Sequence, residues 1–165
     1  MTQILTLDSE QLRHAMRAWA SGVTIVTASH AGEQHGMTVN SFTSVALEPP
    51  LIIISLQAGS RTQVLISQAN AFAVTILADD QQDISDRFAG RVPDAEDRLA
   101  GLETETLDTG APFVKGGLAY LDCRVMQIIP VGSSTLFLAE VMAARGNGEG
   151  QPLVYHDRSY KKLVE

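Results

Sequence analysis

Between positions 38 and 44 the chain sets Thr38, Asn40, Ser41, Thr43 and Ser44 among apolar neighbours, with Val39 and Phe42 interleaved. Four hydroxyls and one amide in seven residues are many polar groups for a segment that lies beside the apolar run 51–56. Buried polar groups need partners. A flat ligand with an apolar body and polar edges would supply them. The plainer reading is an edge strand whose threonines and serines face water.

A second candidate is Ser55-Leu56-Gln57-Ala58-Gly59-Ser60-Arg61-Thr62. It brings Ser60, Arg61, Thr62 and free backbone N–H groups to the start of a helix. Such a start attracts phosphate through its donors and dipole, and arginine adds a charge-assisted contact. An ordinary capped surface helix has the same sequence signature. The third candidate is Asp86-Arg87-Phe88-Ala89-Gly90. Arg87 there either helps neutralise a phosphate or is a solvated charge, and Phe88 is either beside it or in the core.

No nucleophile is set near a histidine and carboxylate in sequence. Of His14, His30, His35 and His156, only His156 has an unusual setting, Pro152-Leu153-Val154-Tyr155-His156. The single cysteine, Cys123, rules out an internal disulfide and reads as a buried thiol. No Cys/His spacing suggests a metal site. A formal net charge of −7 disfavours nonspecific binding to nucleic acid or anionic membrane. A local pocket can still oppose the global sign. There is no signal-like start and no apolar run near the roughly 18 residues of a membrane span, so a cytoplasmic location is expected.

The elements that must position these groups follow from pattern. Asp8, with Gln11 three residues on, starts a helix whose apolar stripe is Leu12, Ala15, Met16 and Trp19 and which Gly22 ends. That stripe should cover a sheet or a partner. Strands are expected at 23–29 and from 35 to about 45 as a hairpin, then at 51–56 as a buried strand, and at 72–77. Ser60 caps a helix over 61–68, and Asp79 caps another over 80–89, closed by Gly90. Residues 91–116 read as irregular, with a helical turn near 94–99. Residues 118–129 alternate, Ala119, Leu121, Cys123 and Val125 on one face, Tyr120, Asp122 and Arg124 on the other. A turn at Gly132 leads to a returning strand over 135–144, and short extended pieces at 153–156 and 160–163 finish the chain. Six or seven strands without helical crossovers predict an antiparallel barrel in one domain, 1–165, with two or three short helices. The absence of GxGxxG after the first strand points the same way.

The order of these stretches resembles the short flavin reductases, the reductase components of two-component flavin monooxygenases. The resemblance rests on Ser21-Gly22-Val23-Thr24-Ile25-Val26-Thr27, Gly36-Met37-Thr38-Val39-Asn40-Ser41-Phe42-Thr43-Ser44-Val45 and Glu48-Pro49-Pro50-Leu51. It continues through Ser55-Leu56, Ser60 and Thr62, Phe72-Ala73-Val74, Arg87-Phe88-Ala89-Gly90 and Pro152-Leu153-Val154-Tyr155-His156. It implies a mainly β, Greek-key split barrel, homodimeric, with FMN (or FAD) bound near the dimer interface and NADH or NADPH as co-substrate. It implies that Thr38, Val39, Asn40, Ser41, Phe42, Ser55 and Leu56 line the isoalloxazine and ribityl chain. Ser60, Arg61, Thr62 and Arg87, beside Phe88, would hold the phosphate. Reduced flavin would pass to a partner monooxygenase.

Members of that family commonly carry Gly-Asp-His-Thr where this chain has Gly132-Ser133-Ser134-Thr135, and many have Asn where Thr75 stands. Ser134 thus replaces a histidine of the nicotinamide side, where His156 or Tyr160 would have to act. Three readings remain: a flavin reductase, a flavin carrier or sensor without turnover, and a small barrel for another ligand. Hydride transfer between two cofactors asks the protein for stacking and hydrogen-bond donors rather than an acid or base. No catalytic side chain is therefore assigned.

Overall fold

In the computed structural model, which describes residues 7–91, 97–146 and 148–164, the first helix, α1 (Ser9–Met16), begins where the capping signal places it. Asp8 accepts from the Glu10 N–H at 3.3 Å and its own N–H donates to Gln11 Oε1 at 3.1 Å. The helix stops at Arg17 rather than Gly22, because Ser21–Gly22 forms a strand, β1. None of α1 is buried, and the apolar stripe of Leu12, Met16 and Trp19 stays exposed.

The strands β2 (Thr24–His30), β3 (Glu33–Val39), β4 (Phe42–Leu47) and β5 (Pro50–Gln57) follow one another. The expected single strand from 35 to 45 is in fact two, broken at Asn40–Ser41. Helix α2 (Arg61–Ala69) leads to β6 (Ala71–Ile76) and α3 (Gln82–Phe88). Asp79 does not cap α3; Gln81 stands at its start, its Oε1 accepting from the Ala78 N–H at 3.0 Å. The stretch expected to be irregular holds β7 (Thr104–Thr106) and β8 (Pro112–Val114). Of the turn expected at 94–99, residues 94–96 lie outside the described residues, and 98–100 form a turn. Then come β9 (Ala119–Val131), β10 (Ser134–Gly146), β11 (Val154–His156) and β12 (Ser159–Lys161).

Seven strands form one antiparallel sheet in the order β3-β2-β6-β9-β10-β5-β4. Its two edges, β3 and β4, are consecutive in the chain. Three chain steps from Val39 to Phe42 reach at most about 11 Å. A flat sheet would hold its outer strands about 29 Å apart, six spacings of about 4.8 Å. The sheet is therefore rolled until its edges meet at Asn40–Ser41. Strands β1, β11 and β12 make a second small sheet, and β7 pairs with β8.

The rolled sheet encloses one core, built around Val26, Ile54, Leu56, Ile66, Phe72 and Phe137. Strand β5, expected to be buried throughout, alternates: Ile52, Ile54 and Leu56 point in, while Leu51, Ile53 and Ser55 are half-buried. A second core of Val23, Ile25, Leu77, Phe88, Leu99 and Val114 lies under α3. Gly36 lets β3 approach it, for a Cβ there would lie 2.7 Å from Thr27 Cγ2 and 2.8 Å from the Phe88 ring. Cys123 is buried, and burial pushes its thiol well above the ordinary range.

On the polar face of β9 Arg124 is exposed but Asp122 is shut away from solvent. Asp122 is fully buried and accepts from the Thr109 N–H at 2.7 Å and from the Thr109 hydroxyl. Thr75 Oγ1 accepts from the Val114 N–H at 3.2 Å, and Thr27 donates to the Pro112 carbonyl. These three buried polar groups pin the segment around β8 across the sheet, with Phe113 edge-on to Tyr120 at 5.4 Å.

Candidate functional site

Where the sheet edges meet, Asn40 lines three cavities at once. One, about 490 Å³, is walled by α1, Trp19, Ser41, Tyr155 and the turn at Asp157-Arg158. The second, about 350 Å³, has Trp19, Val23, Thr24, Phe42 and Ile76 around it. The third, about 150 Å³, is bounded by Val23, Thr38, Ser85, Arg91, Tyr155 and Tyr160. Asn40 reaches them because β3 ends at Val39 and the chain must cross to β4 there.

The rest of the 38–42 stretch is locked around it. Thr38 Oγ1 donates to the Ser85 carbonyl at 2.6 Å. The Val39 side chain is buried, and its carbonyl accepts from Thr24 Oγ1 at 2.6 Å. Ser41 is bonded twice to Ser55: its hydroxyl donates to the Ser55 carbonyl at 2.6 Å, and its carbonyl accepts from the Ser55 N–H at 3.1 Å. Phe42 is half-buried, between the core and the second cavity.

The phosphate candidates lie at the start of α2. Ser60 caps it, accepting from the Gln63 N–H at 3.4 Å, and Arg61 is exposed in its first turn. Three further expected contacts have buried side chains. Thr62 is 1% exposed, with its hydroxyl 2.8 Å from His35 Nδ1. Phe88 is fully buried in the second core, as the plainer reading had it. Leu56 is likewise a core residue. Arg87 Nη2 donates to the Ala100 carbonyl at 2.5 Å.

On the expected nicotinamide side the three residues separate. Ser134 faces Gln57 in register, near the bond from the Ala58 N–H to the Ser133 carbonyl, and lines none of the three cavities. His156 is half-buried beside the turn, its carbonyl accepting from Ser159 Oγ at 3.2 Å. Tyr160 is inside the third cavity, its hydroxyl 2.8 Å from Ser85 Oγ and 2.9 Å from Asp86 Oδ1.

Around Tyr160 the structure assembles groups that sequence reading passed over. Tyr155 pairs with Tyr160 across β11 and β12, with ring centroids 5.5 Å apart. Arg91 lies over both rings, at 5.9 and 5.7 Å, and bonds Asp86 at 3.0 Å and the Tyr155 hydroxyl at 3.3 Å. The signal was available in the period of a strand: residues 155 and 156 face opposite ways, so attention to His156 pointed away from the cavity.

The Tyr155 hydrogen bond raises the already high Arg91 value further. Burial raises the Tyr160 phenol, with the Ser85 hydrogen bond opposing it. A raised folded value means that the contribution of Tyr160 is complete below its unfolded value, near pH ~10, and is lost as pH rises through the folded one. The melting-temperature gap between wild type and Tyr160→Phe is therefore expected to stay constant from neutral pH to mildly alkaline pH and to narrow above pH ~10, which a pH series of thermal melts checks.

A family model described as a flavin reductase like domain matches residues 16–164. An NADH-dependent flavin reductase of a Rhodococcus species is 36% identical over 155 residues, covering 92% of this chain and 85% of the relative. The reductase component of a 4-hydroxyphenylacetate 3-monooxygenase from Thermus thermophilus is also 36% identical, covering 94% of this chain and 97% of the relative. A probable flavin reductase of Rhizobium meliloti is 38% identical over 86% of this chain, which spans only 45% of that protein's length. Among solved structures, the flavin reductase PheA2 superposes with a TM-score of 0.88 at 34% identity, covering 96% of this chain and all of PheA2. With a family model over nearly its whole length and relatives of this identity, the chain belongs to the flavin reductase-like family.

Proposed function

We propose that the chain is an NADH:flavin oxidoreductase with FMN as acceptor, working as one domain in the cytoplasm and supplying reduced flavin to a partner monooxygenase. The observation that carries this is the convergence of three cavities on Asn40. The second cavity suits an isoalloxazine: apolar walls at Val23, Phe42 and Ile76 and a polar rim at Ser21, Thr24 and Asn40. The rolled sheet is then a split barrel with its flavin at the seam.

Bound flavin supplies the two-electron chemistry, accepting hydride equivalents from the nicotinamide donor. The protein's own part is placement. The Asn40 amide and the N–H groups of 40–42 offer donors to the pyrimidine edge, where negative charge grows on reduction. The double Ser41–Ser55 link fixes that backbone before anything binds. Ser60, Arg61 and the backbone N–H groups at the start of α2 hold the phosphate, with Arg87 at longer range. The Tyr155–Tyr160–Arg91 cluster borders the donor side and excludes water there.

The exposed apolar residues Met126, Ile128, Ile129 and Val131 on β9, with Val45 and Leu47 on β4, support a homodimer that covers them.

The double variant Ser60→Ala/Arg61→Ala is expected to raise the FMN dissociation constant about tenfold while riboflavin changes little. Fluorescence titration with both flavins measures this. Equal weakening would remove the phosphate assignment. The activity itself is tested by steady-state NADH consumption, which must rise with added FMN; a rate indifferent to FMN contradicts the proposal.

A further inference from the structure

Asn40 is exposed where the chain crosses from β3 to β4, so the bonds of its neighbours set its place. Two of those bonds stay within the rolled sheet, from the Val39 carbonyl to Thr24 on β2 and from Ser41 to Ser55 on β5. The third leaves the sheet. Thr38 Oγ1 donates to the carbonyl of Ser85 on α3 at 2.6 Å. A threonine hydroxyl has one proton. Once that proton is given to Ser85, none remains for a carbonyl of a bound ring. Thr38 and Asn40 are two residues apart in extended chain, and both line the third cavity. A displacement of Thr38 therefore carries directly to Asn40.

Ser85 is a fully buried junction. Its carbonyl takes Thr38, and its hydroxyl is 2.8 Å from that of Tyr160 on β12. Beside it, Asp86 Oδ1 accepts from Arg91 Nη1 at 3.0 Å and lies 2.9 Å from the same Tyr160 hydroxyl. A path of short hydrogen bonds thus runs from the terminal hairpin, through α3, to the seam. Burial alone does not call for it, because Phe88 and Ile84 already seat α3 in the second core. Helix α3 has seven residues and no side-chain hydrogen bond at its start. Apolar contacts leave such a helix free to shift by small amounts, and directional polar bonds remove that freedom.

We propose that Thr38 is a positioning residue rather than a flavin ligand: it ties Asn40 to α3, and Tyr160 fixes that tie from the terminal hairpin. This deepens the reductase reading and rests on it for the part Asn40 plays at the ring.

Thr38→Val keeps the branched shape and deletes the proton, whereas Thr38→Ser keeps the proton. At saturating FMN, Thr38→Val is expected to lower kcat about fivefold with the KM for NADH changed less than about twofold, and Tyr160→Phe to lower kcat about twofold to threefold. Thr38→Ser should stay close to wild type. On an Asn40→Ala background neither Thr38→Val nor Tyr160→Phe should lower kcat further, because residues that act through one group are not additive. A Thr38 that touched the flavin itself would cost the same on both backgrounds. In the flavin-free protein, the side-chain amide NMR signal of Asn40, identified by its loss in Asn40→Ala, should move in Thr38→Val and in Tyr160→Phe and hold its place in Thr38→Ser. Additive losses in the double variants, or an Asn40 signal indifferent to both substitutions, overturn the proposal. Should Thr38→Val fail to fold, Tyr160→Phe on the two backgrounds carries the same test. Should the wild type consume no NADH, the reductase reading falls, while the Asn40 signal still decides whether Thr38 and Tyr160 place that residue.

Discussion

Replacing Asn40 by Ala is expected to lower kcat/KM for NADH at saturating FMN by about tenfold to hundredfold, with little change in melting temperature. Asn40 is exposed, so truncating it removes no core packing. Yet it is common to all three cavities, and under the proposed function its amide is the donor at the rim of the isoalloxazine. A hydrogen bond to a group that gains charge in the reaction is worth more in the transition state than in the ground state, so the loss should fall on turnover more than on flavin affinity. Steady-state kinetics with a flavin titration separates the two. A variant that binds FMN ten times more weakly but turns over normally at saturation would make Asn40 a binding residue only.

Asp122→Ala is expected to have the largest effect on stability, about 3 kcal/mol, or a fall of roughly 6–12 °C in melting temperature. The carboxylate is fully buried and takes both polar hydrogens of Thr109. Deleting it leaves those donors without an acceptor and opens a hole beneath the segment that Thr27 and Thr75 also pin. Asp122→Asn, which keeps one acceptor, should lose about half as much. Thermal and denaturant unfolding measure both. A loss below about 1 kcal/mol would mean that the segment around β8 is held by Phe113 and its apolar contacts instead.

These two residues also mark what a single sequence discloses. Local devices were plain: the Asp8–Gln11 box and the Ser60 cap each involve residues three apart, and both helices begin there. The antiparallel, crossover-poor β order was plain for the same reason, since hairpins are local. The break at Asn40–Ser41 was hidden, because two strands on opposite edges of a rolled sheet read as one alternating run. The burial of Asp122 was hidden because alternation separates two faces without saying what covers the second, and its cover arrives from β7 and β8, strands of three residues each, too short to show a period. The site divided along similar lines. Thr38, Asn40, Ser41 and Phe42 lie together at the seam and Ser60 with Arg61 at a helix start, as their spacing suggested. Thr62 and Phe88 turned inward, because neighbours distant in sequence, His35 and Gly36, claim them. Trp19, Arg91 and the hairpin that carries Tyr155 and Arg158 are three separate segments and meet only in three dimensions.

The central claim is that NADH reduces flavin on this protein. Purified protein mixed with FMN under anaerobic conditions, then with NADH, should lose the oxidised flavin's visible absorbance far faster than the same mixture without protein. Flavin that binds, quenched in fluorescence, yet stays oxidised under excess NADH would contradict the claim and leave a flavin-binding protein whose donor side, with Ser134 away from the three cavities, does not act on NADH.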